Sequence, residues 1–151
     1  MLKILHTADW HLGQSFHGFS RDTEHAAFLD WLLQQLQQHR PHALLLAGDV
    51  FDTIHPPATA QKLFYSFLAR ARAQQPELQL VVTAGNHDAG SRLEAPARLL
   101  ETFDIRILGT PLNADGTELD LPRLLVPLMG DSGGTEGIVI AMPFLRPADV
   151  P

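Results

Sequence analysis

An α/β fold, with central sheets flanked by helices, follows from three features of the chain. Residues 2–5, 43–47 and 80–84 are short aliphatic runs with the composition of strands buried on both faces. The segments between them carry apolar residues at helical spacing. Each run leads into a polar cluster: Asp9-x-His11, Gly48-Asp49-x-x-Asp52 and Gly85-Asn86-His87-Asp88. The order strand, helix, strand, helix, strand predicts a largely parallel sheet with right-handed crossovers. Ligands of such open sheets gather beyond the carboxyl ends of the strands, which is where all three clusters fall.

Residues 22–40 read as the first helix, with Asp22 or Thr23 as N-cap. Phe28, Leu29, Leu32, Leu33 and Leu36 form its apolar stripe, Gln34, Gln35, Gln37 and Gln38 its outer face, and Pro41 its stop. A second helix is predicted from about 59 to 72, entered through Pro56-Pro57, with Leu63, Phe64, Phe67 and Leu68 facing the core. A short helix over 96–101 and a strand over 105–108 follow. Further on, 113–120 reads as a polar turn, and 124–128 and 138–142 as strands separated by a glycine-rich stretch at 130–137. There is no internal repeat and no long low-complexity tract.

At 151 residues and 45% hydrophobic, the chain is expected to form one core. It has no cysteine, so disulfides, thiolate nucleophiles and zinc-thiolate sites are excluded. The sequence runs straight into a strand with no basic leader, and no segment reaches the length of a membrane span, so a cytoplasmic protein is expected. Eleven basic against 17 acidic residues give a net charge of −6, which argues against a broad electropositive nucleic-acid surface. A nuclease is still compatible, because bound metal neutralises part of the acidic excess.

The three clusters suit divalent metal ions. Asp9 and His11, two apart in an extended strand end, would point to one side and hold one ion. Gly48 permits a sharp turn before Asp49, whose two carboxylate oxygens can face different ions. Asn86 can offer an amide oxygen to a second ion, and His87 can protonate a leaving oxygen or steady a charged transition state. Singly, each cluster would pass as a turn or a loop cap. Together they suit one or two divalent ions and favour a metal-dependent phosphoesterase, which needs no serine or cysteine nucleophile. No Walker-type loop is present, so nucleotide-driven phosphoryl transfer is not supported. Of the remaining polar and aromatic residues, His17 reads as a surface loop histidine. His55, six residues past Asp49, could approach the site and equally suits the turn before Pro56, and His25, His39 and His42 read as solvated. Trp10 should pack against its loop rather than stack on a base. Arg92 is close enough to the third cluster to meet a phosphate, with a salt bridge to an acid such as Glu94 the plainer reading.

The ordered set Asp9-x-His11, Gly48-Asp49-x-x-Asp52 and Gly85-Asn86-His87-Asp88 resembles the calcineurin-like metallophosphoesterase superfamily. The flanking words are similar to the SbcD family of bacterial exonuclease subunits, relatives of the double-strand-break repair nucleases of archaea and eukaryotes. They are residues 6–13, then 47–53 leading to Pro56-Pro57, then 83–88 with Ser91-Arg92-Leu93; the likeness reappears at 141–147. The resemblance implies a layered metallophosphoesterase fold in which Asp9 and His11 bind one metal, Asp49 bridges and Asn86 binds the second. His87 would act at the scissile phosphate and Asp88 would orient a neighbouring group. Asp52 sits where the archaeal and eukaryotic relatives often carry His, and is placed behind the ligands rather than among the catalytic residues. The implied activity is cleavage of DNA in repair and recombination, with manganese. The implied assembly is a homodimer working with an ATP-driven coiled-coil partner of the SbcC type.

The superfamily completes its cage with later histidines, in a Gly-His and a Gly-His-x-His motif, whereas His87 is the last histidine here. Residues 1–151 are therefore expected to be the N-terminal part of a metallophosphoesterase domain, with the second metal site incomplete and this stretch inactive alone. The alternatives are a related phosphoesterase acting on cyclic nucleotides or small phosphoesters, and a non-catalytic binding domain.

Overall fold

The computed structural model describes residues 1–147; the last four residues of the expected 1–151 span lie outside the described residues. A four-stranded parallel sheet carries the molecule: β1 (Ile4–Thr7), β4 (Ala43–Ala47), β5 (Gln79–Thr83) and β6 (Ile105–Leu108), hydrogen-bonded in the order β1-β4-β5-β6. Its register sets Ile4 opposite Ala43, Leu44 opposite Leu80 and Leu80 opposite Ile105. Between β1 and β4 come a small hairpin, β2 (Ser15–Phe16) and β3 (Phe19–Ser20), and the helix α1 (Asp22–His39). Helix α2 (Ala58–Gln74) links β4 to β5, and the short helices α3 (Gly90–Glu94) and α4 (Ala97–Glu101) precede β6. A single helical turn, α5 (Leu121–Leu124), leads into the antiparallel pair β7 (Leu125–Met129) and β8 (Thr135–Ile140).

Successive strand residues face opposite layers. Leu44, Leu46, Leu80, Val82, Ile105 and Ile107 join the stripes of α1 and α2 in one core. Ala43, Val81 and Leu108 point the other way, onto Leu124, Val126 and Leu128 of the β7–β8 layer. Phe64 and Phe67 of α2 are fully buried between the helices and the sheet. No helix among the described residues is long and apolar enough to cross a membrane.

Several local expectations are corrected. The first strand starts at Ile4 rather than Leu2 and forms the sheet edge, so Ile4 stays 44% exposed instead of buried on both faces. Asp22 is the first helical residue of α1, not its cap; Ser20 Oγ accepts its N–H at 3.2 Å. The helix ends one residue early because Arg40 turns left-handed (φ 44°) ahead of Pro41. The turn α5, missed in the sequence, is capped by Asp120, which accepts the Arg123 N–H. β8 begins at Thr135, inside the glycine-rich stretch, because these residues pair with β7. Glu94 pairs with Arg123 rather than Arg92, and Arg123 also donates to the Thr110 carbonyl at 2.6 Å.

Two of the three helix-1 histidines are not solvated. His25 is buried, and burial pushes its pKa below the usual value of 6.5, with the Arg21 charge adding to the effect. His42 is half-buried: its Nδ1 accepts the Lys3 N–H at 2.9 Å, so Nε2 donates to Asp131, also at 2.9 Å. That hydrogen bond is the main cause holding the Asp131 carboxyl below its usual pKa.

The loops after β1, β4 and β5 are bound to one another. Asp9 N–H donates to the Gly48 carbonyl (3.1 Å), His11 N–H to Asp49 (3.0 Å) and Leu12 N–H to Val50 (3.0 Å). Asp88, only 1% exposed, closes the arrangement. Its Oδ1 accepts from Phe51 N–H (2.9 Å), and its Oδ2 from Val50 N–H (3.1 Å) and Gly85 N–H (2.8 Å).

Asp88→Ala strands three backbone donors and should cost about 3 kcal/mol or more of stability in urea denaturation. Asp88→Asn should cost less, since its oxygen can keep two of the donors while its amide meets the third; an unchanged midpoint for the alanine variant would refute the clamp. His25 gives a pH test. Its lowered folded pKa means the unfolded chain takes up protons first, so its stability contribution is whole above 6.5 and is lost as pH falls through the folded value. Denaturation at pH 7.5 and 5.5 should show a smaller acid loss in His25→Leu than in the wild type; equal losses contradict the assignment.

Candidate metal centre

The parallel sheet delivers the site to one end, beyond the C-termini of β1, β4 and β5. The chain enters it through residues that leave the extended conformation. Asp9 (φ 57°), His11 (φ 47°) and Asp49 (φ 49°) are all left-handed, which costs free energy for residues with a Cβ. This corrects the expectation that Asp9 and His11 share a side by belonging to one extended strand end. β1 stops at Thr7, and the two residues are instead aimed by backbone bonds to the β4 loop. Trp10 between them turns inward, donating Nε1–H to Thr7 Oγ1 (3.0 Å) and meeting Phe67 edge-on at 5.1 Å.

Three carboxylates converge on the His11 ring. Nε2 lies 3.7 Å from Asp49 Oδ2 and 4.0 Å from Asp9 Oδ1, while Nδ1 faces Asp52 Oδ1 at 3.4 Å. His11 Nδ1 is buried and makes no hydrogen bond of good geometry. Asp49 is nearly buried, with Oδ2 turned to His11 and Oδ1 accepting the His87 N–H at 3.0 Å. Gly85 makes that approach possible: a Cβ there would sit 2.0 Å from Asp49 Oδ1 and 2.2 Å from its backbone nitrogen. One atom from each of His11, Asp49 and His87 lies within 4.8 Å of the others. Carboxylates held this close together repel one another unless a cation lies among them, so the donor set of carboxylates and imidazoles fits a hard or borderline divalent ion.

His87 is exposed, its ring edge-on to His11 at 4.8 Å. Its Nδ1 lies 2.8 Å from the Asp52 carbonyl, which can only accept, so Nδ1 carries a proton and Nε2 is left for chemistry. That hydrogen bond is the largest cause raising the His87 pKa; desolvation opposes it, and the Asp49, Asp52 and Asp88 charges add to it. Asn86 is exposed in the same loop, between Gly85 and His87. Asp88 lies beneath the loops and binds backbone rather than another side chain.

His17 stands exposed at the β2–β3 turn, and Arg92 is exposed beside a smaller cavity. His55 lines a cavity of about 500 Å³ next to the site, with Gly85, Asp88, Ser91, Phe144 and Arg146. Sequence reasoning gave Arg146 no role, yet its Nη2 donates to the Asp88 carbonyl at 3.1 Å and ties residues 141–147 to the third loop. The signal was there, in the Pro-Phe-Leu-Arg-Pro word, but its partner lies 58 residues away.

The calcineurin-like phosphoesterase family matches residues 2–134. The chain is 47% identical over 150 residues to the SbcD component of the SbcCD nuclease of Rhodobacter capsulatus, covering 99% of this chain and 37% of that protein. Against the SbcD component of the Escherichia coli K12 nuclease it is 41% identical over 150 residues, covering 99% and 34%. Against that of Bacillus subtilis it is 44% identical over 110 residues, covering 73% and 28%. The chain thus spans about a third of the length of the curated relatives it matches. With its parallel sheet, its three strand-end loops and a match across most of its length, the chain belongs to the calcineurin-like phosphoesterase family.

Proposed function

We propose that this chain carries the metal-binding part of a DNA nuclease subunit that hydrolyses phosphodiester bonds beside an SbcC-type coiled-coil ATPase. The observation that carries the reading is the convergence of Asp9, His11, Asp49, Asp52 and His87 at the ends of three parallel strands. The family implies divalent-metal binding, and the names of the relatives support DNA as substrate and a two-component assembly. Manganese as the working ion, a homodimer in the complete protein and a cytoplasmic setting belong to the same proposal. So does the assignment of residues 1–151 to the N-terminal part of the phosphoesterase domain.

In this reading Asp9, His11 and Asp49 hold one ion, and Asp49 with Asn86 contributes to a second. Asp52 stands behind the His11 ring, its Oδ1 3.4 Å from Nδ1, where a carboxylate can orient a ligating histidine. When bound, the ions supply an activated water and stabilise charge on the attacking and leaving oxygens. The chain itself does the remainder. The Asp52 carbonyl orients His87, and the raised pKa of that ring favours a proton on Nε2. As water attacks phosphorus and the P–O bond breaks, that proton passes to the departing oxygen.

Linear duplex DNA tested beside a panel of cyclic nucleotides, with manganese present, separates this reading from the nearest rival phosphoesterases. Cleavage confined to the cyclic nucleotides would overturn it. In the complete protein, Asp49→Ala should lower DNA cleavage by more than about a hundredfold and weaken manganese binding in calorimetry, with the fold kept. Cleavage comparable to wild type would remove Asp49 from the centre. His87→Gln should keep metal affinity while kcat falls about 10²- to 10⁴-fold; lost metal binding would make His87 a ligand instead.

A further inference from the structure

We propose that the β2–β3 hairpin is a base-stacking platform, on which Phe16 and Phe19 seat a nucleobase of the strand whose phosphate lies at the metal-binding cluster. This inference rests on the nuclease reading above and names a substrate contact within it. Phe16 is 66% and Phe19 78% exposed, and among the described residues neither ring joins a core cluster. They face each other directly across the antiparallel pair, so both side chains leave the same face of the hairpin. The turn between them is rigidly specified. His17 (φ 49°) and Gly18 (φ 82°) are both left-handed, as a two-residue hairpin turn requires.

The platform is anchored to the site. Gln14 N–H donates to the His11 carbonyl at 3.0 Å, Arg21 N–H to the Gln14 carbonyl at 3.2 Å, and Arg21 Nη1 to Gln14 Oε1 at 2.9 Å. Phe16 lies five positions after His11, so their Cα atoms lie within about 18 Å, a span of a few nucleotides. Residues 10–21 contain no carboxylate, and Arg21 at the foot of the hairpin supplies a cation for the strand's backbone. Aromatic rings that stack on bases and basic groups that meet the backbone are the two parts of a single-strand binding surface. Two exposed rings with an arginine beside them and no carboxylate between Trp10 and Arg21 therefore favour nucleic acid over a second protein as the occupant.

The test compares wild type with Phe16→Ala/Phe19→Ala and Phe16→Leu/Phe19→Leu in the complete protein. Three substrates are used: an oligonucleotide, the same oligonucleotide with abasic positions around the cleavage point, and bis(4-nitrophenyl) phosphate. Binding of labelled oligonucleotide is read separately by anisotropy in EDTA, where no cleavage occurs. The alanine pair should raise KM and weaken binding about tenfold for the intact oligonucleotide, through loss of stacking. It should change neither on the abasic one, and leave the small diester untouched; the leucine pair should show the same pattern with an unchanged melting temperature. Intact-oligonucleotide cleavage and binding like wild type overturn the platform alone. An equal loss on the small diester would make the hairpin a support for the metal site, and lost self-association with unchanged KM would make it a protein interface; either overturns the platform. Wild-type protein that hydrolyses the small diester but neither binds nor cuts any oligonucleotide overturns the nuclease reading and the platform with it.

Discussion

A single buried carboxylate holds the functional end of this molecule together. Asp88 accepts three backbone N–H groups, two from the loop after β4 and one from the loop after β5. A carboxylate so placed is costly to bury unless every lone pair finds a donor, and here the donors are loop amides that the sheet leaves unpaired. The bond set works in both directions. It satisfies Asp88, and it stops the two loops from drifting apart, which keeps Asp49 and His87 within reach of each other. Arg146 adds a strap from outside through the Asp88 carbonyl.

On that support the chain tolerates several unfavourable backbone conformations. Asp9, His11 and Asp49 are left-handed, and each belongs to the candidate centre. Hydrogen bonds from Asp9, His11 and Leu12 to the second loop offset the strain by fixing the turns in one geometry. Gly85 contributes by lacking a side chain, since any Cβ would collide with Asp49. The negative charge of the centre is likewise concentrated rather than avoided, with Asp9, Asp49 and Asp52 arrayed around one imidazole.

Much of this was legible in the sequence because the signals were local. Aliphatic runs ending in Gly-Asp and Gly-Asn-His-Asp located β4 and β5 within a residue, and the leucine and phenylalanine periodicity located α1 and α2. The errors came where distant partners decide. His25 reads as a polar residue on a polar helix start, yet tertiary packing buries it. His42 looks solvated until Asp131 closes on it from a strand pair added much later in the chain. Glu94 has a cation two residues away, but Arg123 reaches it from α5. The left-handed turns at Asp9 and His11 had no glycine to announce them, since their cause is the neighbouring loop.

The parallel connectivity also has a consequence for how the molecule comes to life. Asp49 and His87 are 38 residues apart in the chain, and the same span separates Asp88 from the Val50 N–H it accepts. No hairpin can bring such groups together early; whole crossovers with their helices must form and register first. The cluster is thus a late product of folding rather than a seed for it. A divalent ion that binds only the finished cluster acts on the end of that sequence, drawing the population toward the native state by mass action. Metal occupancy would then read out the completeness of the sheet, and a slip in strand register anywhere beneath would register first as lost affinity for the ion.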